Sequence, residues 1–99
     1  MTAFPAEVVI YTTAYCGFCH AAKRLLGSKG VDYREVPADR RPDLRSWLVE
    51  ASAQSTVPQI FINGTSIGGF SELAELETGG ELDPLLEQVP PVDKVDLPA

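Results

Sequence analysis

Ninety-nine residues, 44% of them hydrophobic, are enough for one compact domain with a single core. Eight Lys and Arg against fourteen Asp and Glu give a net charge of −6, which argues against a nucleic-acid surface. The apolar runs VVIY and IFI are far too short to cross a membrane, and the start MTAFPAEVVIY lacks a basic n-region and a long h-region, so a cytoplasmic location is expected.

Taken in chain order, EVVIY (7–11) is a β-branched and aromatic run that reads as a buried strand. From Gly17 to Lys29, the apolar positions Phe18, Ala21, Ala22, Leu25 and Leu26 recur at helical spacing, and Gly30 marks the stop. VDYREV (31–36) alternates imperfectly and is assigned to a second strand. Pro42 suits the first turn of a helix running to about Ala53, with Leu44, Trp47, Leu48 and Ala51 on one face. QIFI (59–62) and TSI (65–67) flank Asn63-Gly64, the strongest short hairpin signal. Gly68-Gly69 breaks the second of these strands, and Ser71 with Glu72 begins a helix over 71–78 with Leu73 and Leu76 inward.

GGELDPLLEQV holds one more short helix. Residues 88–99 are read as a Pro-rich acidic tail, poorly ordered, beyond a domain spanning 1–87. Residues 71–99 carry one Lys against eight carboxylates, which reads as a solvated acidic end. The order βαβ, α, β-hairpin, α implies one parallel strand pair joined by a right-handed crossover. The expected fold class is α/β, a mixed four-stranded sheet with helices on both faces.

Both cysteines and the only histidine lie in Cys16-Gly17-Phe18-Cys19-His20. C-x-x-C suits thiol–disulfide exchange, C-x-x-C-H suits haem attachment, and two Cys with one His is most of a zinc site. Haem would take His20 and has only Met1 as a second candidate ligand; zinc would lack its fourth ligand. Exchange fits the position better, since Cys16 falls at a helix start, where unpaired N–H groups and the macrodipole favour the thiolate that does the chemistry. Cys19 lies on the same helical face and can attack a mixed disulfide formed at Cys16.

The combination of YT…CGFCHAAKRLL, STVPQIFINGTSIGG and ELDPLL resembles the glutaredoxins, most closely the small bacterial dithiol members, over roughly residues 7–87. The resemblance implies a thioredoxin-like fold. It also implies glutathione as reductant and cosubstrate, and glutathionylated or disulfide-containing proteins as partners of a monomer. Carried over residue by residue, it makes Cys16 the nucleophile and Cys19 the resolving thiol. Phe18 would wall the site, Thr56 and Val57 would pair with the glutathione backbone, and Pro58 would be cis beside the nucleophile. Gly69, Phe70 and Ser71 would hold the γ-glutamyl carboxylate at a helix start, and Arg41, Arg45 and Gln54 are candidates for the glycine carboxylate. The Gly17-Phe18 insert also resembles C-G-F-S members that bind a [2Fe–2S] cluster between two protomers through the first cysteine. That makes an iron–sulfur carrier dimer, ligated by Cys16, the alternative.

Overall fold

A computed structural model describes residues 4–93 and 96–98. The elements run β1 (Val8–Thr12), α1 (Gly17–Ser28), β2 (Arg34–Pro37), α2 (Pro42–Ser52), β3 (Gln59–Ile62), β4 (Thr65–Gly68), α3 (Phe70–Thr78) and α4 (Leu82–Leu86). The strands form one sheet in the order β2-β1-β3-β4. β1 and β2 are parallel, with Val9 opposite Arg34, while β1/β3 and β3/β4 are antiparallel. This is the thioredoxin-like arrangement that the resemblance implied.

Both faces of the sheet are covered, which is why β1 is apolar at every position up to Tyr11 rather than alternating. Val8 and Ile10 point to one face and pack with Ile60, Ile62, Ala22, Leu26, Leu73, Leu82 and Leu86. Val9 and Tyr11 point to the other and pack with Phe61, Leu44 and Leu48, Trp47 lying half-buried beside them. There the Tyr11, Trp47 and Phe61 rings sit 5.4–5.6 Å apart, tilted, stacked and edge-on, as aromatic quadrupoles prefer. Ala51, read as facing inward, is exposed.

Two boundaries differ from expectation for visible reasons. β2 starts at Arg34 rather than Val31, because the Val31 N–H is committed to Leu26 O (3.1 Å) and Gly30 N–H to Gly27 O (3.1 Å). That pair of bonds is a Schellman close of α1, and it holds the chain off the sheet for three residues. α3 starts at Phe70 with Gly69 as its cap, so Ser71 lies inside the first turn and is not the cap. The β3–β4 turn behaves as expected: Asn63 and Gly64 both take positive φ (52° and 83°), the geometry that matches the twist of a two-residue hairpin.

Of the C-terminal residues 88–99, positions 94, 95 and 99 lie outside the described residues. Leu97 packs against the Tyr11 side of the sheet, and the Tyr11 hydroxyl donates to Pro98 O (2.6 Å). No helix among the described residues is long and apolar enough to cross a membrane.

Three helices meet at Lys29, the C-cap of α1, whose Nζ lies 2.8 Å from Glu77 of α3 and 2.6 Å from Asp83 of α4. Hydrogen bonds from the ammonium to Asp83 and then Glu77 raise its pKa above the ordinary lysine value. A raised folded-state pKa contributes stability that is fully present below the unfolded value of about 10.4 and is lost as pH rises through the folded value. Lys29→Met should therefore flatten part of the alkaline loss of stability. Urea midpoints of the two proteins should differ near neutral pH and converge as pH rises through the folded value, above the ordinary lysine range. A constant gap across that range would contradict this account.

Candidate functional site

β1 ends at Thr12, and the loop that follows delivers Cys16 to the start of α1. The loop is braced from β2 and its connection. Ala38 N–H donates to Thr12 O (2.7 Å) and Ala14 N–H to Asp39 Oδ1 (2.9 Å). The buried Thr12 hydroxyl donates to Glu35 Oε2 (2.7 Å), which Lys23 Nζ also reaches (3.1 Å). The Thr12 bond foremost, with help from Lys23, holds the Glu35 carboxyl below the usual carboxylate range.

Cys16 is the N-cap of α1, its Sγ accepting from Cys19 N–H at 3.1 Å. The two sulfurs are joined as a disulfide. The pair is unequal, because Cys19 is 1% exposed and Cys16 is half-buried at the surface. Of the two sulfur-bearing side chains, only that of Cys16 is open to a molecule approaching from solvent. His20, next in sequence, is exposed. No group of three or more His, Cys, Asp and Glu side chains among the described residues is arranged to hold a metal ion.

Cys16 Sγ lies 3.7 Å from the carbonyl oxygen of Val57, a residue that lines a cleft of about 360 Å³. The Val57-Pro58 bond is cis, as the resemblance implied. Thr56, Val57 and Pro58 line the cleft together with Gly69, Phe70 and Ser71. Phe18, 65% exposed, stacks on Phe70 at 6.1 Å and closes the apolar end. The structure thus brings Phe18, Thr56, Val57, Pro58, Gly69, Phe70 and Ser71 together around one cleft.

Gln54 and Glu72 complete the lining. Glu72 Oε1 accepts from Gly69 N–H (2.6 Å), tying the first turn of α3 back onto its cap. The N–H groups of Phe70 and Ser71, in the first turn of α3, have no intrahelical acceptors, and both residues line the cleft. Arg41 and Arg45 are not among the residues that line this cleft. They border a separate depression with Thr13, Arg45 donating to Ser55 O (3.3 Å) and Arg41 to Asp43. Of the three residues proposed for the glycine carboxylate, only Gln54 reaches the cleft. One polar residue behind the cleft was not singled out from the sequence. This is Gln59, fully buried on β3, whose apolar neighbours make QIFI read simply as a strand.

The glutaredoxin family model matches residues 8–67. A glutaredoxin of Pseudomonas aeruginosa is 51% identical over 79 residues, covering 80% of this chain and 94% of the relative. Glutaredoxin 3 of Escherichia coli K12 is 48% identical over 82 residues, covering 83% and 99%. Among solved structures, the buckwheat glutaredoxin–glutathione complex superposes with a TM-score of 0.76 at 32% identity, over 82% of this chain and 76% of that one.

Proposed function

Because the chain belongs to the glutaredoxin family, we propose that it is a glutathione-dependent thiol–disulfide oxidoreductase of the cytoplasm, acting on proteins that carry a glutathione mixed disulfide or a disulfide of their own. The observation that carries this reading is the juxtaposition of an accessible Cys16 Sγ with the carbonyl of Val57, which lines a cleft together with the first turn of α3.

Glutathione is an extended tripeptide with a thiol at its centre and a carboxylate beside an ammonium at its γ-glutamyl end. With its sulfur at Cys16, its backbone lies along Thr56-Val57 and its γ-glutamyl carboxylate reaches the N–H groups of Phe70 and Ser71. Glu72 supplies the negative charge for the ammonium. Phe18 covers the apolar stem.

The Cys16 thiolate attacks the glutathione sulfur of the mixed disulfide. A Cys16–glutathione bond forms, the substrate's S–S bond breaks, and the substrate leaves as a thiolate that takes a proton from water. A second glutathione thiolate then attacks the bound glutathione sulfur, oxidised glutathione leaves, and Cys16 is a thiolate again. For a protein disulfide, Cys16 forms the mixed disulfide with the substrate. Cys19 then attacks Cys16 Sγ, releases the second substrate thiol and leaves the Cys16–Cys19 disulfide. The two sulfurs are already placed for that bond.

The cluster-bridging alternative would use Cys16 alone in each copy. Exchange is favoured because Cys19 stands within bonding reach of Cys16, and the disulfide between them is the product of the dithiol route, opened again by glutathione.

Turnover of a glutathionylated peptide by glutathione tests the reading. Cys19→Ser should keep most of this activity, within about threefold, because the route through a second glutathione never uses Cys19. The same variant should lose reduction of a protein disulfide. Equal loss on both substrates would overturn the division of labour between the cysteines.

A further inference from the structure

Tyr15 stands immediately before Cys16 and is completely exposed, at 103%. Among the aromatic side chains of the described residues only Tyr15 and Phe18 are exposed, and they flank the nucleophile on either side in sequence. Phe18 stacks on Phe70 and lines the cleft assigned to glutathione. Tyr15 is not among the residues lining that cleft, and its hydroxyl has no partner among the described residues.

The Tyr15 backbone takes φ +58°, a left-handed conformation that is strained for a bulky side chain. Its neighbours impose it. Ala14 N–H is tied to Asp39 Oδ1 (2.9 Å), while Cys16 O accepts from His20 N–H (3.2 Å) and Cys16 Sγ from Cys19 N–H (3.1 Å). The chain is held on both sides of Tyr15 and the ring is carried out into solvent, with no packing to offset the strain. Conformations of this kind persist where the surroundings over-determine them, and they cluster at active sites and ligand clamps.

A protein disulfide reacts by attack of the Cys16 thiolate on one of its sulfurs. A Cys16–substrate S–S bond forms, the substrate's own S–S bond breaks, and its second sulfur leaves as a thiolate that takes a proton from water. The two Cα atoms of that mixed disulfide stand about 4.4–6.8 Å apart, and the Tyr15 Cα is about 3.8 Å from that of Cys16. Residues next to the substrate cysteine therefore come within side-chain reach of the Tyr15 ring. Glutathione has one residue on each side of its cysteine, whereas a polypeptide continues past both.

We propose that Tyr15 is the docking contact for the protein partner in this mixed disulfide, and that it favours substrates with an aromatic or long aliphatic side chain beside the reacting cysteine. An exposed ring gains most from a partner that covers its face with apolar surface. The proposal rests on the oxidoreductase reading and adds to it a specificity determinant that acts on protein disulfides.

The test is reduction, by the full chain and glutathione, of a two-cysteine peptide disulfide in three versions, with Phe, Gly or Lys beside each cysteine. The glutathione mixed disulfide of cysteamine serves as the small substrate. The unaltered protein should prefer the Phe peptide to the Gly peptide about two- to tenfold in kcat/KM. Tyr15→Asn should remove that preference and leave turnover of the cysteamine substrate unchanged, while Tyr15→Phe keeps both. The asparagine variant should also melt no lower than the unaltered protein, because asparagine tolerates the left-handed backbone.

A Phe preference that survives Tyr15→Asn would overturn the proposal. So would a preference of the unaltered protein for the Lys peptide, or an equal loss on every substrate in the asparagine variant, with or without a lower melting temperature. Absence of turnover of every substrate by the unaltered protein would instead overturn the oxidoreductase reading, a result distinct from a lost or unmoved preference.

Discussion

Cys16→Ser is expected to abolish glutathione-dependent reduction, with a loss on the order of a thousandfold or more in kcat/KM, while the protein stays folded. The chemistry requires a thiolate at this position. A hydroxyl there remains protonated and cannot form a disulfide with either glutathione or Cys19, so both routes close together. The fold, in contrast, has little reason to object. Cys16 caps α1 by accepting from Cys19 N–H at 3.1 Å, and serine is among the preferred N-cap residues. The short covalent link to Cys19 is lost, so the comparison belongs under reducing conditions, where both proteins lack it. There the thermal midpoints should agree within a few degrees while activity disappears. Substantial activity in the serine variant would mean that Cys19 or another group attacks first. Its burial, at 1% exposure, argues against that for Cys19.

Much of the fold was legible because several local signals agree. The doubly apolar β1 and β3, the Asn63-Gly64 turn and Pro42 at the first turn of α2 each specify an element from a few neighbouring residues. The C-x-x-C at a helix start was legible for a related reason, since it is a local feature, whereas the cis Val57-Pro58 bond was expected only through the family resemblance. What could not be read depends on residues that meet only after folding. β2 begins late because its first residues are spent closing α1, a choice between two uses of the Val31 N–H. Ser71 has the right chemistry for a cap, yet Gly69 takes the position because the Glu72 carboxylate reaches its N–H. Arg41, Arg45 and Gln54 look equivalent as polar residues in or beside α2. Only the path of the chain puts Gln54 in the cleft and the arginines outside it. Gln59 carries no signal at all in sequence, because its partners, the Thr56 carbonyl and the Gln54 amide, meet it only once the chain has folded.

Gly68→Ala is the substitution expected to damage fold and site together. Gly68 has φ +100°, a backbone region that costs any residue with a Cβ on the order of 1–3 kcal/mol. The added Cβ would also stand 2.5 Å from Glu72 Oε1 and 2.8 Å from its Cγ. The Glu72 carboxylate can swing away, but only by releasing Gly69 N–H, the bond that fastens the first turn of α3. Total destabilisation should reach about 3 kcal/mol, lowering the melting temperature by on the order of 10–20 °C. KM for a glutathionylated peptide should rise at the same time, since the displaced carboxylate and the loosened turn both border the ligand cleft. The two causes separate in a double-mutant cycle. In a Glu72→Ala background the collision and the released bond no longer exist, so Gly68→Ala should cost only its backbone strain, and the combined effect should fall short of the sum by about 1 kcal/mol. Strict additivity would show that Glu72 does not communicate the substitution to α3, and that the damage comes from the backbone at Gly68 alone.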